Sequence, residues 1–133
     1  MFKLYHYSTW GGKEIYAERE LKPSNVYLES GPPLVWLTEN EDWESSIQAS
    51  SPDYEYNRWP SAPILYGDQG IPCWKFEVEV RHMNKIHYPV RGWVEMLQGG
   101  IELGADIAQW HWTPEVLEIK RAFKFENDEW RKL

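Results

Sequence analysis

The clearest structural signal in this chain is the alternation of apolar and polar residues from Cys73 to Arg81. Side chains on a β-strand point alternately to its two faces, so a period of two predicts a strand with its apolar residues toward the core. Those residues are Trp74, Phe76, Val78 and Val80. No other segment of the chain indicates its secondary structure as clearly.

The first part of the chain predicts two more strands and two helices. Leu4–Ser8 is an apolar and aromatic run typical of a strand, and Leu34–Thr38 has no charges, which predicts a strand buried on both faces. Apolar residues near helical spacing predict a helix over Lys13–Leu21. Asn40–Ala49 begins with an N-cap residue followed by acidic residues, which predicts a second helix.

The remaining segments complete a predicted α+β domain. Ser50–Gly70 holds three prolines and two glycines, which predicts a long loop of the kind that often acts as a lid or binding segment. Arg91–Leu97 and Ile101–Gln109 are predicted to be short helices, and Glu115–Phe125 one or two closing strands. Strands at both ends and in the middle, without βαβ alternation, favour α+β. We expect a single compact domain over residues 1–133, with a mixed or antiparallel split β-sheet core and short helices.

Charge and composition exclude several classes of partner. The chain has 21 acidic and 14 basic residues, a net charge of −7, which repels phosphate backbones, so we expect no non-specific nucleic-acid binding. No apolar run approaches the about 18 residues that cross a bilayer, so we expect no membrane insertion. The one cysteine, Cys73, cannot form an internal disulfide, and a cytoplasmic location is expected.

The aromatic content is high, with 9 Trp and 8 Tyr. Flat amphipathic rings suit a cleft that stacks planar ligands, or a partner interface. We assign most of these rings to the core. Only those beside polar candidate residues are given a functional interpretation.

Common catalytic motifs are absent from the sequence. There is no phosphate-binding Gly-rich loop, CxxC or HExxH, and the four histidines are scattered without a common ligand spacing, so no metal site is expected. Cys73 has no evident base beside it, which predicts a buried, inert thiol. Ser45-Ser46 falls inside a predicted helix and not at a nucleophile elbow.

Three segments place a polar group beside aromatic residues. These are Leu4–Ser8 with His6, Val35–Thr38 with Thr38, and Gln109–Glu115 with Glu115. Three further segments, Leu21–Ser24, Trp43-Glu44 and Ala105–Trp110, extend this set over most of the chain. In their order along the chain, the segments resemble those of small, largely uncharacterised bacterial and phage proteins related to the ADP-ribosyltransferase superfamily.

The resemblance implies an ADP-ribosyltransferase-like domain that takes NAD as its substrate. Its implied catalytic residues are His6, Thr38 and Glu115. His6 would hydrogen-bond an NAD ribose hydroxyl, and Glu115 would stabilise the oxocarbenium-like transition state that forms as nicotinamide leaves. The implied NAD-binding residues are Tyr7, Ser8, Trp36 and Trp43.

Each catalytic candidate also has a purely structural interpretation. His6 could be a core histidine satisfied by the backbone, Thr38 could cap the helix that follows it, and Glu115 could be a solvated carboxylate on an acidic surface. Thr113 stands two positions before Glu115, where the family commonly has an acidic or amide residue. The interpretation of this chain as a superfamily member that only binds its ligand, without catalysis, therefore also stays open.

Three functions remain open at this stage. The first is an NAD-dependent mono-ADP-ribosyltransferase of bacterial or phage origin, acting on an unknown macromolecule that we expect to be a protein. The second is a non-catalytic, acidic and Trp-rich protein-binding module. The third, transfer of a 2′-phosphate from RNA to NAD, ranks lower because basic clusters are missing. The first requires His6 and Glu115 to meet in one aromatic-lined cleft, whereas the second requires exposed Trp residues and carboxylates on a flat or convex face.

Overall fold

The computed structural model describes residues 1–24, 33–43, 72–82, 84, 101, 106–127 and 129–133. These residues form a six-stranded antiparallel sheet and a separate two-stranded antiparallel sheet. The strands are β1 (Phe2–Ser8), β2 (Glu20–Leu21), β3 (Val35–Thr38), β4 (Trp74–Val80), β5 (Trp110–Thr113), β6 (Leu117–Glu118), β7 (Arg121–Glu126) and β8 (Glu129–Lys132). One α-helix, α1 (Gly12–Glu18), and a 3₁₀-helix (Ile107–Gln109) accompany them.

The main sheet has the strand order β5-β3-β1-β4-β7-β8, and β2 pairs with β6. The described part of the chain is therefore mostly β, with one short α-helix. Of the two sheet arrangements predicted, the antiparallel one is observed. The predicted loop Ser50–Gly70 and the predicted helix Arg91–Leu97 lie outside the described residues, as do parts of the predicted helices Asn40–Ala49 and Ile101–Gln109.

One face of the main sheet, here called the first face, carries the aliphatic core. Strands β1 and β4 pair along their full length, from Phe2↔Val80 to Ser8↔Trp74, which places Leu4 beside Val78. The alternation predicted for β4 is confirmed, because its apolar residues are all buried. The helix α1 and the two-stranded sheet cover this face through Ile15, Tyr16, Leu21 and Leu117.

The opposite face, here called the second face, is also covered, although alternation assigns polar residues to it. Lys75 is 8% exposed and Glu77 is 5% exposed. The Glu77 carboxylate lies 3.8 Å from Nζ of Lys3 and 3.5 Å from Nε of Arg121. These ion pairs compensate part of the cost of burying a carboxylate within the sheet.

The first helix is shorter than the sequence predicts. Arg19 adopts the left-handed conformation, with φ 62°, and its N–H donates to the carbonyl of Ile15, which ends the helix. Leu21 then pairs with Leu117 instead of continuing a helical face. The prediction of a helix over Lys13–Leu21 is therefore wrong at its end. No helix in the described ranges is long and apolar enough to cross a membrane.

The strand predicted over Leu34–Thr38 is confirmed as β3, with Leu34 forming a β-bridge just before it. Asn40 follows, and its Oδ1 accepts the N–H groups of Asp42 at 3.0 Å and Trp43 at 3.3 Å. These bonds form a turn at Asn40. The helix predicted after it extends beyond Trp43, outside the described residues, so the N-cap stays a prediction.

Two of the late strands, β6 and β7, agree with the prediction for Glu115–Phe125. The sequence pattern predicts no strand at β8, which pairs with β7 next to Asn127 in the left-handed conformation, φ 52°. At the other edge of the sheet, β5 is bonded to Asn84. The N–H of Trp112 donates to the Asn84 carbonyl at 3.2 Å, and Nδ2 of Asn84 donates back to the Trp112 carbonyl at 3.0 Å.

Candidate functional site

The main sheet has one weakly paired junction, between β1 and β3. These strands share a single residue pair, Tyr5↔Thr38, whereas β1 and β4 share seven. Beyond that pair, toward Ser8, a side-chain hydrogen bond connects the two strands. In it, Nδ1 of His6 lies 2.8 Å from the backbone oxygen of Trp36. We call this junction, formed by residues 5–8 and 35–38, the β1–β3 seam.

The hydrogen bond to Trp36 fixes the protonation pattern of His6. A carbonyl only accepts, so Nδ1 must carry the proton. Burial lowers the pKa of His6 below its ordinary value, and the bond to Trp36 opposes this only in part. The neutral ring therefore presents Nε2 as an acceptor, the state suited to receiving a hydrogen bond from a hydroxyl group.

Ser8 and His6 lie on the first face, two residues apart on β1. The other three implied NAD-binding residues lie toward the second face. The hydroxyl of Tyr7 donates to the Asn40 carbonyl at 2.8 Å, and its ring meets the edge of Trp43 with a centroid separation of 6.0 Å. Trp36 pairs with Trp112, and its half-buried ring shares a face with Thr38 because side chains alternate along β3.

Thr38 ends β3, as predicted, and is buried. Its Oγ1 accepts the N–H of Asn40 at 3.1 Å, a local turn bond. The predicted helix that Thr38 would cap extends beyond residue 43, outside the described residues. Thr38 pairs with Tyr5, so both lie on the second face, whereas His6 lies on the first. The structure thus brings His6 and Thr38 onto adjacent strands but on opposite faces of the sheet.

Glu115 lies in the turn between β5 and β6 and is exposed. Its N–H donates to Oγ1 of Thr113 at 3.2 Å. Thr113 pairs with Val35 at the start of β3, whereas Thr38, at the end of β3, pairs with Trp110. Glu115 and Thr38 are therefore displaced toward opposite ends of the β3–β5 pair.

A polar pair that the sequence patterns do not reveal lies beside the seam. His111 is 0% exposed, and its Nε2 lies 2.9 Å from Oε2 of Glu39. Its Nδ1 is buried and has no hydrogen-bond partner. The two residues are far apart in sequence, and the only local signal is the Trp-His-Trp alternation that directs His111 inward on β5.

On the second face, the segment after β3 is held by three side chains from three different strands. Each donates to one of three successive carbonyls: Tyr7 Oη to Asn40, Lys75 Nζ to Glu41 and Trp130 Nε1 to Asp42, all at 2.8 Å. Backbone carbonyls that leave a strand need such donors when they are covered. The chain immediately after the seam is consequently fixed in position.

One other candidate residue from the sequence can be placed. Cys73 is buried, as predicted, and burial raises its pKa to about 12, so the thiol is not ionised near neutral pH. Among the described residues, no group of three or more His, Cys, Asp and Glu side chains is arranged to hold a metal ion.

Comparison of this chain with protein-family models, with curated proteins and with solved structures finds no match. The geometry of the seam and its neighbouring side chains is therefore the basis for any functional conclusion.

Proposed function

We propose that this chain is an ADP-ribosyltransferase-like domain that binds NAD at the β1–β3 seam and transfers ADP-ribose to a macromolecule, expected to be a protein. The observation that carries the proposal is the state of His6. Its ring is neutral, its Nδ1 is committed to the Trp36 carbonyl, and its Nε2 is an acceptor beside the weakest junction of the sheet. A ribose hydroxyl is a donor that fits this acceptor.

The order of the strands supports the same proposal. The three segments that resemble the family's motifs lie on or directly after β1, β3 and β5, which are neighbours in the sheet. His6 and Thr38 are thereby brought onto the two strands of the seam, and Glu115 follows β5 on the far side of β3. This arrangement favours the ADP-ribosyltransferase-like fold as the specific form of the antiparallel sheet.

The proposed reaction needs little positive charge from the protein. Breaking the bond between nicotinamide and ribose builds positive charge on the sugar, which carboxylates stabilise. A net charge of −7 is compatible with such a transition state and with a compact dinucleotide held by hydrogen bonds. It does not favour an extended polyanion such as RNA.

One observation favours the alternative of a protein-binding module. Trp10, in the turn between β1 and α1, is 64% exposed, and exposed tryptophan is common at interfaces. The other six tryptophans in the described residues are buried or half-buried. A Trp-rich exposed face is thus not seen in this part of the chain. Glu115 does not meet His6 there either, because β3 lies between β5 and β1. The NAD proposal is favoured by the state of His6 alone.

Calorimetric titration of the full chain with NAD, with an assay of released nicotinamide, tests the proposal. His6→Asn keeps a donor near the Nδ1 position for the Trp36 carbonyl but removes Nε2. We expect this variant to remain folded and to bind NAD about tenfold more weakly, the effect of roughly one hydrogen bond. His82→Asn alters an exposed histidine just after β4 and is the matched control, expected to bind NAD like the parent.

Two results would reject the proposal. If the parent shows no binding at about millimolar NAD, the seam is not a dinucleotide site, and the search moves to protein partners that contact the exposed Trp10 side chain. If His6→Asn and His82→Asn bind NAD as well as the parent does, the ligand does not use Nε2 of His6.

A further inference from the structure

His111 occupies a position where an aliphatic residue would pack without a polar cost. It lies directly opposite Leu37 on the first face, among the residues of the aliphatic core, and is fully buried. A histidine there must satisfy two ring nitrogens, and the structure satisfies only Nε2. A buried polar atom without a partner lowers stability and calls for an explanation.

The partner of Nε2 supplies that explanation. A carboxylate only accepts, so Nε2 carries the proton and donates to Oε2 of Glu39 at 2.9 Å. The imidazole is held by packing on all sides, whereas the Glu39 side chain is 36% exposed. A rigid, buried donor therefore orients a carboxylate that reaches solvent, an arrangement typical of a functional site.

The register places Glu39 on the same face as His6, diagonally across the seam. The N–H of Glu39 bonds to the carbonyl of Gln109 at 3.0 Å, so β3–β5 pairing continues past Thr38 and keeps Glu39 on the same face as Leu37. Across the seam, His6 comes directly after Tyr5 and Glu39 directly after Thr38. Because the two strands are antiparallel, His6 and Glu39 lie on opposite sides of the Tyr5↔Thr38 pair, as diagonal neighbours. In a regularly paired ladder such diagonal neighbours lie about 7–8 Å apart, a span that one ligand covers.

Glu115 lacks each of these features. It is exposed, it lies four residues after His111 in a turn, and its strand is separated from β1 by β3. An extended strand rises about 3.3 Å per residue, so the end of β5 already lies farther from His6 than Glu39 does.

We propose that Glu39 is the catalytic carboxylate that acts beside His6, and that His111 is the residue that positions it. This inference rests on the proposed function. In the step considered, the bond between ribose C1′ and the nicotinamide nitrogen breaks, and its electron pair leaves with neutral nicotinamide. Glu39 stabilises the positive charge on the sugar. A water or acceptor oxygen then bonds to C1′, and its proton passes through Glu39 to solvent.

Two pairs of matched variants of the full chain test the inference, with NAD affinity and nicotinamide release measured on each. Glu39→Gln should bind NAD within a few fold of the parent but release nicotinamide about 10²-fold more slowly. Glu118→Gln, at an exposed glutamate on β6, is the control and should leave both unchanged. Glu115→Gln tests the carboxylate that the resemblance implies, and the inference expects it to retain turnover. His111→Gln keeps a donor near Nε2 and removes the unpartnered nitrogen, so it should retain turnover, whereas His111→Asn loses that donor and should behave like Glu39→Gln.

The rescue by glutamine separates positioning from a merely structural role. If His111 only fills space, the Gln and Asn variants that remain folded should turn over NAD alike, which would overturn the positioning role. If Glu115→Gln abolishes turnover and Glu39→Gln does not, Glu115 is the catalytic carboxylate and the inference fails, while the proposed function stands. If the parent binds no NAD, both fail.

Discussion

Lys75 is a buried cation held by neutral groups as well as by charges. Its Nζ lies 4.6 Å from the ring centroid of Phe123 and 5.0 Å from that of Trp130, and it donates to the Glu41 carbonyl. The rings attract the ammonium through their negative faces. Burial lowers the pKa of Lys75, and nearby carboxylates oppose this shift. The side chain therefore stabilises the second face as a donor and as a cation.

Replacing Lys75 with methionine keeps the apolar stem and removes the ammonium group. The Glu41 carbonyl then loses its buried donor, so we expect the free energy of unfolding to fall by about 1–3 kcal/mol in urea denaturation. Lys124→Met is the matched control on the next strand, since its Nζ lies 3.8 Å from Glu126 at a partly exposed site. It should change stability by less than about 1 kcal/mol. Equal losses in the two variants would contradict a special role for Lys75.

The turn that joins β1 to α1 packs against a core indole. The N–H of Gly12 donates to the Thr9 carbonyl at 3.1 Å. A Cβ at Gly12 would overlap the part of the Trp74 side chain that lies next to the Trp74 backbone. Trp74 is itself fixed, because its ring stacks on Phe76 with a centroid separation of 6.0 Å. The helix therefore requires a residue without a side chain at its first position.

Gly12→Ala is expected to lower the free energy of unfolding by about 1–3 kcal/mol through overpacking. Gly11→Ala is the control, since its Cβ would lie 3.5 Å from Oγ of Ser8 and Gly11 already has right-handed helical angles. That variant should be neutral or stabilising by up to about 1 kcal/mol. Urea denaturation of both proteins measures the difference, and a stable Gly12→Ala variant would show that Trp74 can move aside.

Elements with a regular pattern were predictable from the sequence, and elements set by distant pairing were not. Strand β4 was predictable because its apolar residues recur at every second position. The end of α1 was not, because Arg19 takes a left-handed conformation that its residue type does not favour. Strand β8 has one apolar residue, Trp130, so its strand state depends on pairing with β7.

The candidate site was only partly predictable for the same reason. The local run around His6 identifies a histidine on a strand, but the acceptor state of its Nε2 depends on a carbonyl 30 positions away. The Glu39–His111 pair spans 72 positions and follows from the pairing of β3 with β5. No short motif encodes such a pair, because strand register, not sequence proximity, brings its members together.

At the scale of the whole molecule, the buried His6 at the seam makes the free energy of unfolding depend on pH. Burial lowers the pKa of His6 below its ordinary value of 6.5, so below that pH the unfolded chain binds a proton that the folded chain resists. The contribution of the neutral His6 to the free energy of unfolding is complete above about pH 6.5. It is lost as the pH falls through the pKa of His6 in the folded chain. His6→Asn keeps a donor for Trp36 and does not titrate, so urea denaturation from about pH 7 to about pH 5 should show a smaller loss than in the parent. His82→Asn, at an exposed histidine, should follow the parent, and parallel curves for the parent and His6→Asn would refute the linkage.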